Sequence, residues 1–159
     1  MDLGCYALHA HRILAPWAGV PPRLVAARGG ERAGHPGVDE WLEADLEFPN
    51  GATGTARCNM AGDRDRWPFR LVGTLGEATA ANFVQPHIDD RVLVSSRHGD
   101  RVEHLGTRSS YTYQLEALRS HLRDATPLPV GPDDPVDTMA LIDACYRAVG
   151  FTPRPRASR

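Results

Sequence analysis

Residues 40–48, Glu-Trp-Leu-Glu-Ala-Asp-Leu-Glu-Phe, set Leu42, Ala44, Leu46 and Phe48 against Glu43, Asp45 and Glu47 in strict alternation. Successive side chains of a strand point to opposite faces, so this period of two predicts a strand with one buried face and one wet face. Asn50-Gly51 follows at once and suits the positive backbone angles of a tight hairpin turn. Residues 52–60 are then the returning strand. Parallel sheets have both faces covered by crossover helices, whereas a half-wet hairpin belongs to an antiparallel or mixed sheet.

The same logic extends along the chain. Strands are predicted at 69–73, 77–82 and 91–96, then at 101–106 after the turn signal Arg-His-Gly-Asp at 97–100. Upstream, 23–28 reads as a strand and the glycine-rich 29–37 as a flexible connection. Gly73 and Gly76 stand between strand-like segments without the GxGxxG or GxxxxGK spacing, so they mark a hairpin and not a phosphate loop. Residues 1–14 read as a helix with Leu3, Tyr6, Ala10, Ile13 and Leu14 as its apolar stripe, stopped by the segment 15–22. Two more helices are predicted near the end. The first, at 109–125, has a serine cap and an apolar side of Tyr113, Leu115, Leu118 and Leu122. The second, at 133–150, has an aspartate cap before Pro135 and Gly150 as its stop. Strands joined by turns, flanked by helices, make an α+β fold.

Composition narrows the function. At 159 residues the chain is one domain or a piece of a larger enzyme. A net charge of −2 argues against nucleic acid as a partner, and 154–159 reads as a flexible, solvated tail. Cys5, Cys58 and Cys145 are odd in number and widely spaced, which points to a reducing, cytoplasmic setting. No signal peptide and no membrane-spanning run is visible. All 18 basic residues are arginine, which excludes a Schiff base or a lysine general base supplied by these residues.

Candidate chemistry is sparse. His9 and His11 sit two apart on a helix and so diverge; the other histidines show no ligand spacing, and no metal site is expected. Asp89-Asp90 reads as a turn and Asp133-Asp134 as a helix cap. Cys58 and Cys145 lack the context of a nucleophile. The first helix differs, because Asp2, Tyr6 and His9 recur at spacings of four and three and share one face. A carboxylate, a phenol and an imidazole so grouped can handle the proton of an alcohol. The same spacing is also met by a core-edge tyrosine and an aspartate that favours the helix N-terminus.

The segment Met-Asp-Leu-Gly-Cys-Tyr-Ala-Leu-His at 1–9 resembles the helix that opens the C-terminal domain of the glucose–fructose oxidoreductase/inositol dehydrogenase (Gfo/Idh/MocA) family. There an Asp-x-Gly-x-His/Tyr pattern is usual. The resemblance continues through 44–60, 70–83, 111–129 and 133–150. It implies a large, open, mostly antiparallel sheet with helices packed on one face, spanning 1–153. It also implies the substrate-side half of an NAD(P)-dependent dehydrogenase that acts on a sugar- or polyol-like alcohol and forms a homo-oligomer. Asp2 matches the family's aspartate, and Tyr6 stands where members carry the catalytic His or Tyr. His9, at a position that is often Asp, is assigned to the substrate. The family's catalytic lysine and its NAD or NADP site belong to a Rossmann domain, so residues 1–159 alone are expected to bind neither cofactor and to be inactive. A helix that begins with no cap residue before it further suggests that Met1 is an internal methionine of a longer sequence. Two alternatives are a non-catalytic binding or oligomerisation module, and a stand-alone isomerase or hydrolase built on Asp2, Tyr6 and His9.

Overall fold

The computed structural model describes residues 4–62 and 67–153. It contains helices α1 (Gly4–Arg12) and α2 (Ala15–Ala18), strands β1 (Arg23–Glu31), β2 (Asp39–Glu47) and β3 (Thr53–Asn59), then β4 (Phe69–Gly73), β5 (Gly76–Ala80), β6 (Arg91–Ser96) and β7 (Gly99–His104), and finally helices α3 (Ser110–Asp124) and α4 (Asp133–Ala148). The class is α+β, and every strand pair is antiparallel. The strands divide between a three-stranded sheet, β1-β2-β3, and a four-stranded sheet, β4-β5-β6-β7. The chain forms two compact units, residues 1–63 with 132–159, and residues 64–131.

In the first unit the alternation of β2 decides the core. Leu42, Ala44 and Leu46, with Ala56 of β3, form the inner face, and Leu8 of α1 with Ile142, Cys145 and Tyr146 of α4 cover it. Full burial of a leucine such as Leu8 or Leu46 contributes about 1.5–3 kcal/mol. The outer face carries the acids. Glu43 accepts from Arg28 and from Arg57 Nε, the latter at 2.5 Å, and Asp45 accepts from Thr55 at 3.1 Å. These pairs are exposed, so they tune solubility and register more than stability. At the β2–β3 turn Gly51 has φ +84°, and Asn50 Oδ1 accepts the Ala52 N–H at 3.1 Å. The hairpin expected from Asn50-Gly51 is present.

Register shifts in the β1–β2 ladder leave Val25 and Glu40 as extra residues, because Leu24 pairs with Leu46 and Ala26 with Asp45, while Gly30 pairs with Trp41 and Glu31 with Asp39. Bulges of this kind re-aim a neighbouring side chain. Next to Glu40, Asp39 accepts the Tyr146 hydroxyl of α4 at 2.6 Å.

In the second unit four strands form two hairpins and the connection between them. Thr74-Leu75 turns β4 into β5, and Arg97-His98 turns β6 into β7. Asp90 accepts from His104 Nδ1 and from the Gly106 N–H, each at 2.8 Å, and so ties down the end of β7.

Several expectations need correction. Segment 15–18 continues as a short helix before Gly19, at φ +98°, ends it. Gly29 and Gly30 are strand residues, not a flexible connection. A Cβ on Gly30 would meet the Trp41 indole at 2.5 Å, and one on Gly29 would meet the Phe151 ring at 3.4 Å, so both glycines serve close packing. The N-cap of α4 is Pro132, with Asp133 and Asp134 inside the first turn, and Ser109 caps α3 without a side-chain hydrogen bond. Tyr113, Leu115, Leu118 and Leu122 of α3 are exposed, and that helix buries no residue. An amphipathic stripe shows that a face needs a partner without naming it. No helix among the described residues is long and apolar enough to cross a membrane.

Candidate active site on the first helix

The face that α1 buries is not its most apolar stripe. Gly4, Leu8, Ala10, His11 and Arg12 are buried, whereas Tyr6 and Ile13 are exposed. Leu8 enters the core, and His11, one turn on, packs over Gly54 of β3, where a Cβ would stand 2.7 Å from the His11 Nε2. His11 Nδ1 lies 2.8 Å from the Ala7 carbonyl, so that nitrogen carries the donor proton. Burial holds the His11 pKa below its usual value, with the Ala7 hydrogen bond opposing the shift.

Arg12 fixes α1 against the first turns of α4. Its guanidinium donates to the Asp134 carbonyl at 2.7 Å, to Asp134 Oδ1 at 2.8 Å, to Thr138 Oγ1 at 2.5 Å and to Asp137 Oδ2 at 2.9 Å. Only 8% of Arg12 is exposed. The planar fork matches this spread of acceptors in a way an ammonium cannot. Asp134 has a second partner as well, since its Oδ2 lies 3.1 Å from the Nδ1 of His9.

Tyr6 and His9 lie three residues apart on α1, Tyr6 exposed and His9 half-buried beside Asp134. Tyr6 is 47% exposed, an arrangement open to a small molecule. Asp2 lies outside the described residues, and the other two expected groups, Tyr6 and His9, stand on α1. Sequence reasoning missed Arg12, Asp134 and Thr138. Asp134 looked like a helix cap, and no local pattern signals a bond between residues 122 apart in the chain.

Burial pushes the Cys145 thiol up to about 11 and raises that of Cys58, which leaves both protonated and unreactive near neutrality. Among the described residues no three His, Cys, Asp or Glu gather to hold a metal ion. Gly73 and Gly76 join two strands, and α4 opens on Asp133 and Asp134, which repel a pyrophosphate.

The family model for the GFO/IDH/MocA C-terminal domain matches residues 1–79, the segment that carries this helix and the first sheet. The chain belongs to this family. None of the curated proteins matches it. Among solved structures it is similar to an aldose–aldose oxidoreductase from Caulobacter crescentus complexed with glycerol, at 22% identity and a TM-score of 0.79 over 92% of this chain and 44% of that one. It is also similar to a 3-ketoreductase from Actinomadura kijaniata in complex with TDP-benzene and NADP (17% identity, TM-score 0.76, 93% and 46% covered). A third is the UDP-N-acetylglucosamine 3-dehydrogenase of Acidithiobacillus ferrooxidans, at 14% identity and a TM-score of 0.77 over 97% and 48% of the two chains. These likenesses establish the Gfo/Idh/MocA C-terminal fold. The chain spans less than half the length of each of these structures.

Proposed function

We propose that this Gfo/Idh/MocA C-terminal domain is the substrate-side half of an NAD(P)-dependent oxidoreductase that acts on a sugar- or polyol-like alcohol. The observation that carries the reading is the exposed Tyr6 with the half-buried His9 three residues on, on a helix held in place by Arg12 and His11. Oxidation of an alcohol removes the carbinol hydrogen as hydride and requires a base for the hydroxyl proton. The proton half of that work falls to this chain, with Tyr6 as the group that exchanges the proton and His9 as a substrate contact. Asp2, four residues before Tyr6, is assigned with it to the catalytic set. The neighbours' ligands support a polyhydroxylated substrate, since one structure holds glycerol and another a TDP compound with NADP.

The nicotinamide contacts are assigned to a Rossmann domain of the kind the resemblance implies. On this reading residues 1–159 alone are inactive, and the whole enzyme is a cytoplasmic homo-oligomer. The deciding experiment supplies a family Rossmann domain by fusion and compares Tyr6→Phe with the parent. Turnover should fall about 10²-fold or more with cofactor affinity unchanged, because a general acid–base contributes on that scale. An unchanged pH–rate profile removes Tyr6 from the mechanism and favours the non-catalytic module.

A further inference from the structure

We propose that Asp134 is a positioning residue for His9, held in place by Arg12, so that the imidazole meets a substrate hydroxyl through Nε2 as a hydrogen-bond acceptor. This rests on the reading of His9 as a substrate contact. It begins from the geometry between α1 and α4. Asp134 Oδ2 lies 3.1 Å from His9 Nδ1, while Oδ1 of the same carboxylate accepts from Arg12 at 2.8 Å.

The carboxylate is not free to turn. Arg12 grips its second oxygen and its own main-chain carbonyl, and is itself anchored by Thr138 and Asp137. The His9 and Asp134 side chains are 35% and 25% exposed, at the rim of this buried grip, so the anchor is covered while the imidazole stays accessible. Neutral imidazole carries one proton, and its position follows the partner of the other nitrogen. An anionic oxygen 3.1 Å from Nδ1 favours the proton there by charge and leaves the lone pair on Nε2. No described residue takes up Nε2. An acceptor at that atom suits an alcohol O–H, and it discriminates against a substrate that offers only a carbonyl oxygen, which would need a donor. Arg12 thereby acts on the substrate through two intermediaries, Asp134 and His9, without touching it.

The test reads the tautomer of His9 directly, in the 159-residue chain, by long-range ¹H–¹⁵N correlation of its imidazole above pH 7.5. Assignment comes from the signal lost in His9→Asn. The native chain should show the Nδ1–H form. Asp134→Asn should shift His9 toward the mixture of an unconstrained imidazole, whereas Asp137→Asn, which loosens the same arginine without touching His9, should leave it unchanged. A native His9 in the Nε2–H form overturns the proposal with no variant needed. Equal shifts in both variants overturn it too, since they would reflect only a loosened helix. If the tautomer follows Asp134 but His9→Ala leaves kcat/KM of the Rossmann-fused enzyme unchanged, the positioning stands and the substrate role of His9 fails.

Discussion

The imidazole of His11 occupies the space that a side chain on residue 54 would take. A Cβ built there stands 2.7 Å from the His11 Nε2, inside van der Waals contact. The β3 backbone is thus a floor on which α1 rests, and glycine is required for packing, since residue 54 has an ordinary extended conformation. Gly54→Ala should cost about 1–3 kcal/mol of stability by overpacking. Adding His11→Ala, which vacates the space, should restore part of the loss, so the double variant falls short of additivity in chemical denaturation. Additive losses would show that the two residues do not share the space.

Arg12 gives a larger effect. Removing one partner of a buried ion pair leaves its acceptors with uncompensated charge, which costs on the order of 3 kcal/mol. The partial exposure of Asp134 and Asp137 lets water recover some of that. Arg12→Met should therefore lower the midpoint of urea unfolding markedly. Arg12→Lys should do so nearly as much, because one ammonium cannot reach Asp134, Asp137 and Thr138 together. A lysine variant as stable as the parent would mean that charge alone, not the fork, holds α1 to α4.

Much of this was legible in the sequence, and the missing part has a common cause. The β2–β3 hairpin followed from alternation and Asn50-Gly51, and the β4–β5 turn from Gly73 and Gly76, because strand period and turn chemistry are local. The buried face of α1 was misread. Tyr6 and Ile13 scored as core by apolarity, yet His11 and Arg12 are buried, since each found a partner far away in sequence, one a glycine on β3 and the other a carboxylate on α4. Arg12 enters the core because distant acceptors satisfy it, and no window of ten residues contains Asp134 or Thr138, just as none shows the Gly54 surface on which His11 packs. Asp134 was missed for the same reason.

His11 also predicts a pH dependence. Its folded pKa lies below 6.5, chiefly through desolvation, while the unfolded chain titrates near the usual value. The unfolded state therefore binds more protons as pH falls below about 6.5, so the contribution of neutral His11 is fully present above that pH and is lost as pH drops toward its folded pKa. Thermal melts should show falling stability from pH 7.5 to 5.5, with a shallower slope in His11→Asn. An identical slope in the variant would assign the effect to other groups.

Cys145 should behave in the opposite sense at high pH. With its thiol raised to about 11 from 9.0 by burial, the folded state holds a proton that the unfolded state releases. Its contribution is complete below about pH 9 and is lost as pH rises to about 11. At pH 8 the native chain should react slowly with iodoacetamide at Cys145 and rapidly only after denaturation, as read by mass spectrometry of the peptides. Rapid native labelling at Cys145 would mean that α4 opens from the sheet more readily than its packing implies.

The last prediction concerns residues 1–159 without a Rossmann domain. Pyrophosphate recognition uses a glycine-rich turn at a helix N-terminus, where N–H groups and the helix dipole meet the negative charge. Gly73 and Gly76 join two strands, and α4 begins with two aspartates, one of them gripped by Arg12. Arg108, just before α3, is committed to Glu116 and lies over the ring of Tyr113. Calorimetric titration of the purified chain with NADH and NADPH should therefore give no saturable heat, and no alcohol should be oxidised in the presence of either oxidised cofactor. Micromolar binding would overturn the division of labour proposed here, because Tyr6 and His9 would then share their domain with a nucleotide site. Restoring the Rossmann domain should bring back both binding and turnover. Binding restored without turnover would locate the fault in α1, and the Tyr6 and His9 variants would then identify which side chain fails.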